Sequence, residues 1–175
     1  MPHVALVSIL APDRVGLVSA IADHLFSAGI NLRDTTFAAL GKGAEFTSLC
    51  ELPPGLGLHE LEDGLAAIEA LAGAQIRVVP YAFDHEAGPM DLVTHRVEVS
   101  GGDQIGLIAR LSDIFAQYGA NIVRLDAQKL PESEGGRYVT RFALWLPAAQ
   151  AAKCLAAVTN TAGELRLVSR IETQG

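Results

Sequence analysis

One loop near the start of the chain contains residues that could bind a small charged molecule. Asp13 and Gly16 precede an apolar stretch with helical spacing, so we expect them near the first turn of a helix. There an Asp side chain can accept hydrogen bonds from backbone amides, and a Gly lets another group approach the backbone closely. The free amides of a helix N-terminus also attract carboxylates. The same residues would serve as a plain helix cap and a packing relief, which the pattern alone favours.

A second candidate, Asn31, follows the same predicted helix and its Gly29 stop signal. An Asn side chain offers both a donor and an acceptor, which suits the carboxylate and ammonium groups of an amino acid. The alternative is that Asn31 only stabilises the turn after Gly29.

Both patterns occur twice, at an offset of 90 residues (position 13 against position 103). Asp13-Arg14-Val15-Gly16 returns as Asp103-Gln104-Ile105-Gly106, and Gly29-Ile30-Asn31-Leu32 returns as Gly119-Ala120-Asn121-Ile122. Matches of Asp, Gly and Asn at one offset indicate an internal duplication.

The elements that must position these residues have the same order in both repeats. Apolar runs and helical spacings predict strands at 4–9, 31–40, 44–52 and 76–81 and helices at 17–26 and 58–71, then strands at 94–100, 122–130, 138–146 and 165–171 and helices at 107–115 and 148–158. We therefore predict an α+β fold of two ferredoxin-like βαββαβ domains, each a four-stranded antiparallel sheet with two helices on one face. The predicted boundaries are domain 1 at 1–83, a linker at 84–91 and domain 2 at 92–175.

The predicted strand at 4–9 is apolar on both sides, as expected for a sheet covered on both faces. Covering the second face requires the two copies to pack on each other, on a second chain, or on both. We expect a homo-oligomer, although two such modules in one chain could also pair without a second chain.

The composition excludes several classes of protein. Half of the residues are hydrophobic, 19% are charged and the formal net charge is −7, which argues against disorder and against direct nucleic-acid binding. Cys50 and Cys154 have no metal-like or redox-like spacing, and we expect both to be reduced and buried. Without a signal-peptide pattern or a membrane-length apolar stretch, we expect a cytoplasmic protein with no membrane partner.

No pattern in the chain indicates catalysis. The five histidines show no metal-ligand spacing, and GxSxG, P-loop and dinucleotide-binding motifs are missing. Trp145 lies in an apolar strand, which predicts a core position. We therefore expect a protein that is not an enzyme and that uses no metal and no cofactor.

The paired loop and Asn motifs resemble those of the ACT domain, a βαββαβ regulatory module. Two such domains in a chain of this length are similar to the glycine cleavage system transcriptional repressor family. The resemblance implies that a small amino acid, glycine among the candidates, binds at interfaces between modules. The implied ligand-binding residues are Asp13, Arg14, Val15, Gly16, Asn31, Leu32, Asp103, Gln104, Ile105, Gly106, Asn121 and Ile122. Gln104 replaces Arg14 and Ala120 replaces Ile30, so the two sites need not be equivalent.

The resemblance also implies a regulatory role through a protein partner, such as a DNA-binding transcriptional activator. Two alternatives stay open at this point. One is a ligand-free protein-interaction module, and the other is a detached regulatory subunit of an amino-acid metabolic enzyme. One fold hosts many functions, so the fold alone does not choose among them.

Overall fold

The computed structural model describes residues 3–102, 105–131, 133 and 136–174. The chain divides into two units, Met1–Asp84 and His85–Gly175, and each is described by itself.

The first unit has the element order β-α-β-β-α-β. Its elements are β1 (His3–Pro12), α1 (Leu17–Ser27), β2 (Asn31–Leu40), β3 (Gly43–Leu52), α2 (Leu58–Ala66) and β4 (Gln75–Pro80). The strands form an antiparallel sheet in the order β2-β3-β1-β4.

The second unit repeats this order. Its elements are β5 (His95–Gly101), α3 (Leu107–Gln117), β6 (Asn121–Lys129), β7 (Tyr138–Trp145), α4 (Ala148–Glu164) and β8 (Val168–Thr173). Its sheet order, β6-β7-β5-β8, matches that of the first unit, and all neighbouring strands are antiparallel. The predicted α+β, ferredoxin-like fold is confirmed.

The first helix of each repeat is fixed by apolar residues four positions apart, which lie on one helical face. The buried members are Leu17, Ile21 and Leu25 in α1 and Leu107, Leu111 and Phe115 in α3. Each helix is followed by a glycine with positive φ, Gly29 at 73° and Gly119 at 69°, as predicted for a helix stop.

Each sheet has a helix side and an open face, the latter being the face turned away from the helices. In β1 the residues Ala5, Val7, Ile9 and Ala11 are at most 3% exposed and belong to the core of the first unit. Because side chains alternate along a strand, the residues between them lie on the open face. The second unit has its own core, so each repeat buries its helices independently.

Two predicted elements have different bounds in the structure. α2 ends at Ala66 rather than continuing to position 71, because the extended backbone at Ile68 interrupts the helix before a short 3-10 turn at Glu69–Leu71. That turn places Leu71 in the core. α4 extends to Glu164, beyond the predicted end at 158, and buries Ala162; the chain then turns through Arg166, at φ 57°, before β8 begins.

Both cysteines are fully buried, one in each unit. Burial raises the pKa of the Cys50 thiol, only partly opposed by its hydrogen bond with Ser48, and burial also raises the pKa of Cys154. A raised thiol pKa leaves less of the reactive thiolate at neutral pH. We expect Ellman's reagent to modify neither cysteine rapidly in the native protein and to modify both after unfolding in denaturant. Rapid modification of a native thiol would contradict the buried placement.

Among the helices of the described residues, none is long and apolar enough to cross a membrane.

Candidate functional site

The predicted glycine loops lie at the start of the first helix of each repeat. Gly16 is the N-cap of α1, with φ 86° and ψ −1°, and Gly106 is the N-cap of α3, with φ 81° and ψ 8°. Both are in the left-handed region, which glycine adopts without steric cost. Among the residues that the structure describes, neither N-cap provides a side-chain hydrogen bond to the first amides of its helix.

The predicted capping role of Asp13 is wrong, because the chain needs three more residues to turn from β1 into α1. Instead, the backbone N–H of Asp13 donates to the carbonyl of Lys42 at 2.9 Å, which ties the loop to the turn between β2 and β3. The carbonyl of Arg14 accepts from the N–H of Leu17 at 3.3 Å. Asp103 and Gln104, the corresponding predicted residues of the second repeat, lie outside the described residues.

An apolar side chain stands beside each of these glycines. Val15 and Ile105 are fully exposed, although both are β-branched hydrophobic residues. Isolated exposed hydrophobic residues are common, but here the same feature recurs at the same loop position of both repeats. Each loop therefore presents an exposed apolar side chain next to a helix N-terminus.

Asn31 belongs to a small polar cluster at the start of β2. Its Nδ2 donates to Oε2 of Glu51 at 3.0 Å, and Oε1 of the same carboxylate forms an ion pair with a guanidinium nitrogen of Arg33 at 3.1 Å. The side chains of Arg33 and Glu51 are 27% and 28% exposed, so the cluster is accessible to a ligand. Neither Arg33 nor Glu51 belongs to the motifs that pointed to this site in the sequence.

Asn121 has different neighbours from Asn31. Its Nδ2 donates to the carbonyl oxygen of Met90 at 2.9 Å, in the segment that precedes β5. Its cross-strand partner is Trp145, which occupies the register position that Glu51 has opposite Asn31. The prediction that Trp145 is a core residue is wrong: the side chain is only partly buried, and the strand alternation places it on the open face.

Leu32 and Ile122, the residues after these asparagines, have side chains that pack against the hydrophobic cores of their units. They can therefore present their backbone to a ligand, but not their side chains.

The loop and the asparagine lie at opposite ends of the helix that joins them. α1 has 11 residues, and a helix of that length rises about 16 Å. The register shows the same separation, since Asn31 lies in the row of Val4 at the start of β1, whereas Asp13 follows the end of that strand. No ligand of amino-acid size reaches both Gly16 and Asn31 within one unit.

No group of three or more His, Cys, Asp or Glu residues with metal-binding geometry is found in the described part of the chain.

Comparison with known proteins gives relatives of regulatory type. No protein-family model matches the chain. The glycine cleavage system transcriptional repressors of Escherichia coli K12 and Shigella flexneri are each 26% identical to it over 129 residues, which is 74% of this chain. The match spans 66% of each relative, slightly under two thirds of its length.

Solved structures agree with this fold over the full chain. A protein of unknown function from Galdieria sulphuraria has a TM-score of 0.75 with 24% identity and covers 100% of both chains. A candidate glycine cleavage system transcriptional repressor has a TM-score of 0.70 with 15% identity, covering 99% of this chain and 98% of its own. At these identities the structures show the fold alone. The repressor relatives confirm the resemblance that the sequence motifs predicted.

Proposed function

We propose that this chain, a tandem ACT-domain protein homologous to glycine cleavage system transcriptional repressors, binds a small amino acid between ACT modules and thereby controls a protein partner. The observation that carries the proposal is the repeated loop: each domain starts its first helix at a left-handed glycine, which provides no side-chain cap and follows an exposed apolar residue. A loop that only packed the core would not need an exposed apolar residue beside a left-handed glycine. Both repeats nevertheless have this combination.

The two ends of a domain have complementary chemistry for an amino acid. The amides at the start of α1 or α3 suit a carboxylate, because the helix dipole adds to their hydrogen bonds. The side-chain oxygen of Asn31 suits an ammonium group, which would find a hydrogen-bond acceptor there beside the Glu51 carboxylate that Arg33 neutralises.

Because these ends lie about 16 Å apart within one domain, a complete site needs two domains. The glycine loop of one domain would meet the asparagine end of another. Such a ligand would stabilise one arrangement of the domains over others, which is the differential affinity that regulation requires.

We propose that the working asparagine end is that of the first repeat. Asn31 has the carboxylate of Glu51 beside it, whereas Asn121 holds the Met90 carbonyl and faces Trp145. Asn121 would then act mainly as an anchor for the segment before β5.

A role in transcription would be indirect. The net charge of −7 opposes contact with DNA phosphates, so a repressor of this kind would act on a DNA-binding activator. The names of the relatives favour this partner over a metabolic enzyme.

Thermal unfolding in the presence of each common amino acid tests the proposal. We expect one or a few amino acids to raise the melting temperature, since a ligand at a hundredfold excess over its Kd adds about 2.7 kcal/mol to stability. Asn31→Ala should abolish that shift. Asn121→Ala is the matched control and should retain it, because its amide is bonded within its own unit.

Amidated forms of the effective amino acids, which lack the carboxylate, should lose the shift if the helix N-terminus binds that group. No shift with any amino acid would contradict the sensor and favour a ligand-free interaction module. Co-purification with a metabolic enzyme instead of a transcription factor would favour the regulatory-subunit alternative.

A further inference from the structure

The two repeats have similar hydrophobic cores, but the open faces of their sheets differ. In the first unit one cross-strand row is apolar, Leu49–Leu6–Val79, and the next has three hydroxyl side chains and a single charge, Thr36–Thr47–Ser8–Arg77. In the second unit the corresponding rows are Arg124–Ala143–Arg96–Glu172 and Asp126–Arg141–Glu98–Arg170. A duplicated fold does not require this change, since the helix sides keep their apolar pattern.

The charged rows line a cleft of about 210 Å³. Its floor is at Ala143, whose cross-strand neighbours are Arg96 on one side and Arg124 on the other. The corresponding residue of the first unit is Leu49, so the small side chain of Ala143 leaves the space between the two arginines open.

The charges in the cleft are unequally satisfied. Arg141 donates to Oε2 of Glu98 at 2.9 Å and to Oδ2 of Asp126 at 3.3 Å, so these two carboxylates are already occupied. Burial lowers the pKa of Arg141, but its hydrogen bonds with Asp126 and Glu98 outweigh this and raise it, so that side chain stays charged.

The other arginines have no such partner. Among the described residues, Arg96, Arg124 and Arg170 form no ion pair or side-chain hydrogen bond. The cleft holds four arginines and three carboxylates, a net charge of +1 in a chain whose net charge is −7.

We infer that this cleft binds a small oxyanion, a metabolite with a carboxylate or phosphate group held between Arg96 and Arg124 above Ala143. Guanidinium groups present planar, paired donors that match the oxygens of carboxylates and phosphates. Arg141, fixed by Glu98 and Asp126, forms one wall of the cleft and orients no ligand by itself. The cleft includes none of the residues of the glycine loops or of the Asn31 cluster, and the inference does not depend on the amino-acid proposal.

Isothermal titration of the full chain with inorganic phosphate, succinate and citrate tests this inference. We expect saturable binding of one oxyanion per chain, weakened by added salt because the contacts are partly exposed. The double variant Arg96→Gln/Arg124→Gln should reduce the affinity by at least about tenfold. Ala143→Leu should do the same by filling the cleft without removing a charge. If phosphate binds but succinate and citrate do not, the ligand group is a phosphate. The opposite result identifies a carboxylate.

Arg77→Gln is the matched control, since Arg77 is the first unit's counterpart of Arg170 and should not affect binding. Circular dichroism shows whether each variant folds. If Ala143→Leu does not fold, the double arginine variant still tests the inference, because Arg96 and Arg124 are exposed and their replacement should not disturb the core. No saturable binding of any oxyanion, or equal affinity in all variants, would overturn the inference. The amino-acid shift should persist in every one of these variants, so the two proposals fail separately.

Discussion

Replacing Phe142 with alanine is expected to lower the free energy of unfolding of the second unit by about 3–5 kcal/mol. Phe142 is 1% exposed and packs edge-to-face on Phe115, with ring centroids 5.0 Å apart and an interplanar angle of 67°. These two rings join β7 to α3, so the truncation removes both buried area and an aromatic pair. Denaturant unfolding followed by circular dichroism gives the change.

Phe26→Ala is the matched control for this substitution. Phe26 lies in α1 but is 82% exposed, so the same truncation should change stability by no more than about 0.5 kcal/mol. Similar losses in the two variants would mean that the Phe115–Phe142 pair is not the centre of a separate core in the second unit.

The order of elements could be predicted from the sequence because it depends on local spacing. Apolar residues four positions apart mark α1 and α3, and the glycines that end them recur at positions 29 and 119. The duplication removes most of the ambiguity in assigning helices and strands, because the same pattern must form the same element in both repeats. These are features of neighbouring residues, and no tertiary contact is needed to recognise them.

The neighbours of the two asparagines could not be predicted, because a β-bulge decides them. The hairpin of β2 and β3 pairs Leu40 with Gly43, and this register would place Asn31 opposite Leu52. An irregularity between Leu32 and Thr35 shifts the pairing, so that Asn31 faces Glu51 instead.

The second repeat has the corresponding irregularity between Ile122 and Arg124, which places Asn121 opposite Trp145. A bulge has no strong sequence signal when it contains no glycine, so Glu51 and Trp145 were both missed as neighbours of the candidate site.

The charged cleft was missed for a related reason. The alternation of Arg96 and Glu98 with buried valines is visible in the sequence of β5. The remaining charges come from β6, β7 and β8, and only the strand order β6-β7-β5-β8 brings them into the same two rows. A site that spans four strands depends on topology and register together, and a single sequence determines neither of these locally.

At the start of α1 the sequence motif was recognised, but the helix-capping role was assigned to the wrong residue of the motif. Asp13 has the side chain that favours caps, yet Gly16 is the N-cap because the turn into the helix needs a left-handed residue there. The motif therefore keeps glycine for its backbone conformation, and the consequence is a helix end whose N-cap residue provides no side-chain hydrogen bond.

Substituting Gly16 with alanine tests both halves of this conclusion. No heavy atom lies within 4 Å of a Cβ added at Gly16, so the cost comes from the φ of 86° alone and should be about 1–2 kcal/mol in the first unit. Gly57→Ala is the matched control: Gly57 is the N-cap of α2 with equally open surroundings, but its φ is −84°, so the lower N-cap preference of alanine is offset by the reduced freedom of the unfolded chain and the loss should be smaller than at Gly16. Since a strained loop also displaces the first amides of α1, Gly16→Ala should reduce the amino-acid-induced rise in melting temperature, whereas Gly57→Ala should preserve it. Equal stability losses in the two variants would refute the left-handed cap, and an unchanged ligand response in Gly16→Ala would remove this loop from the binding site.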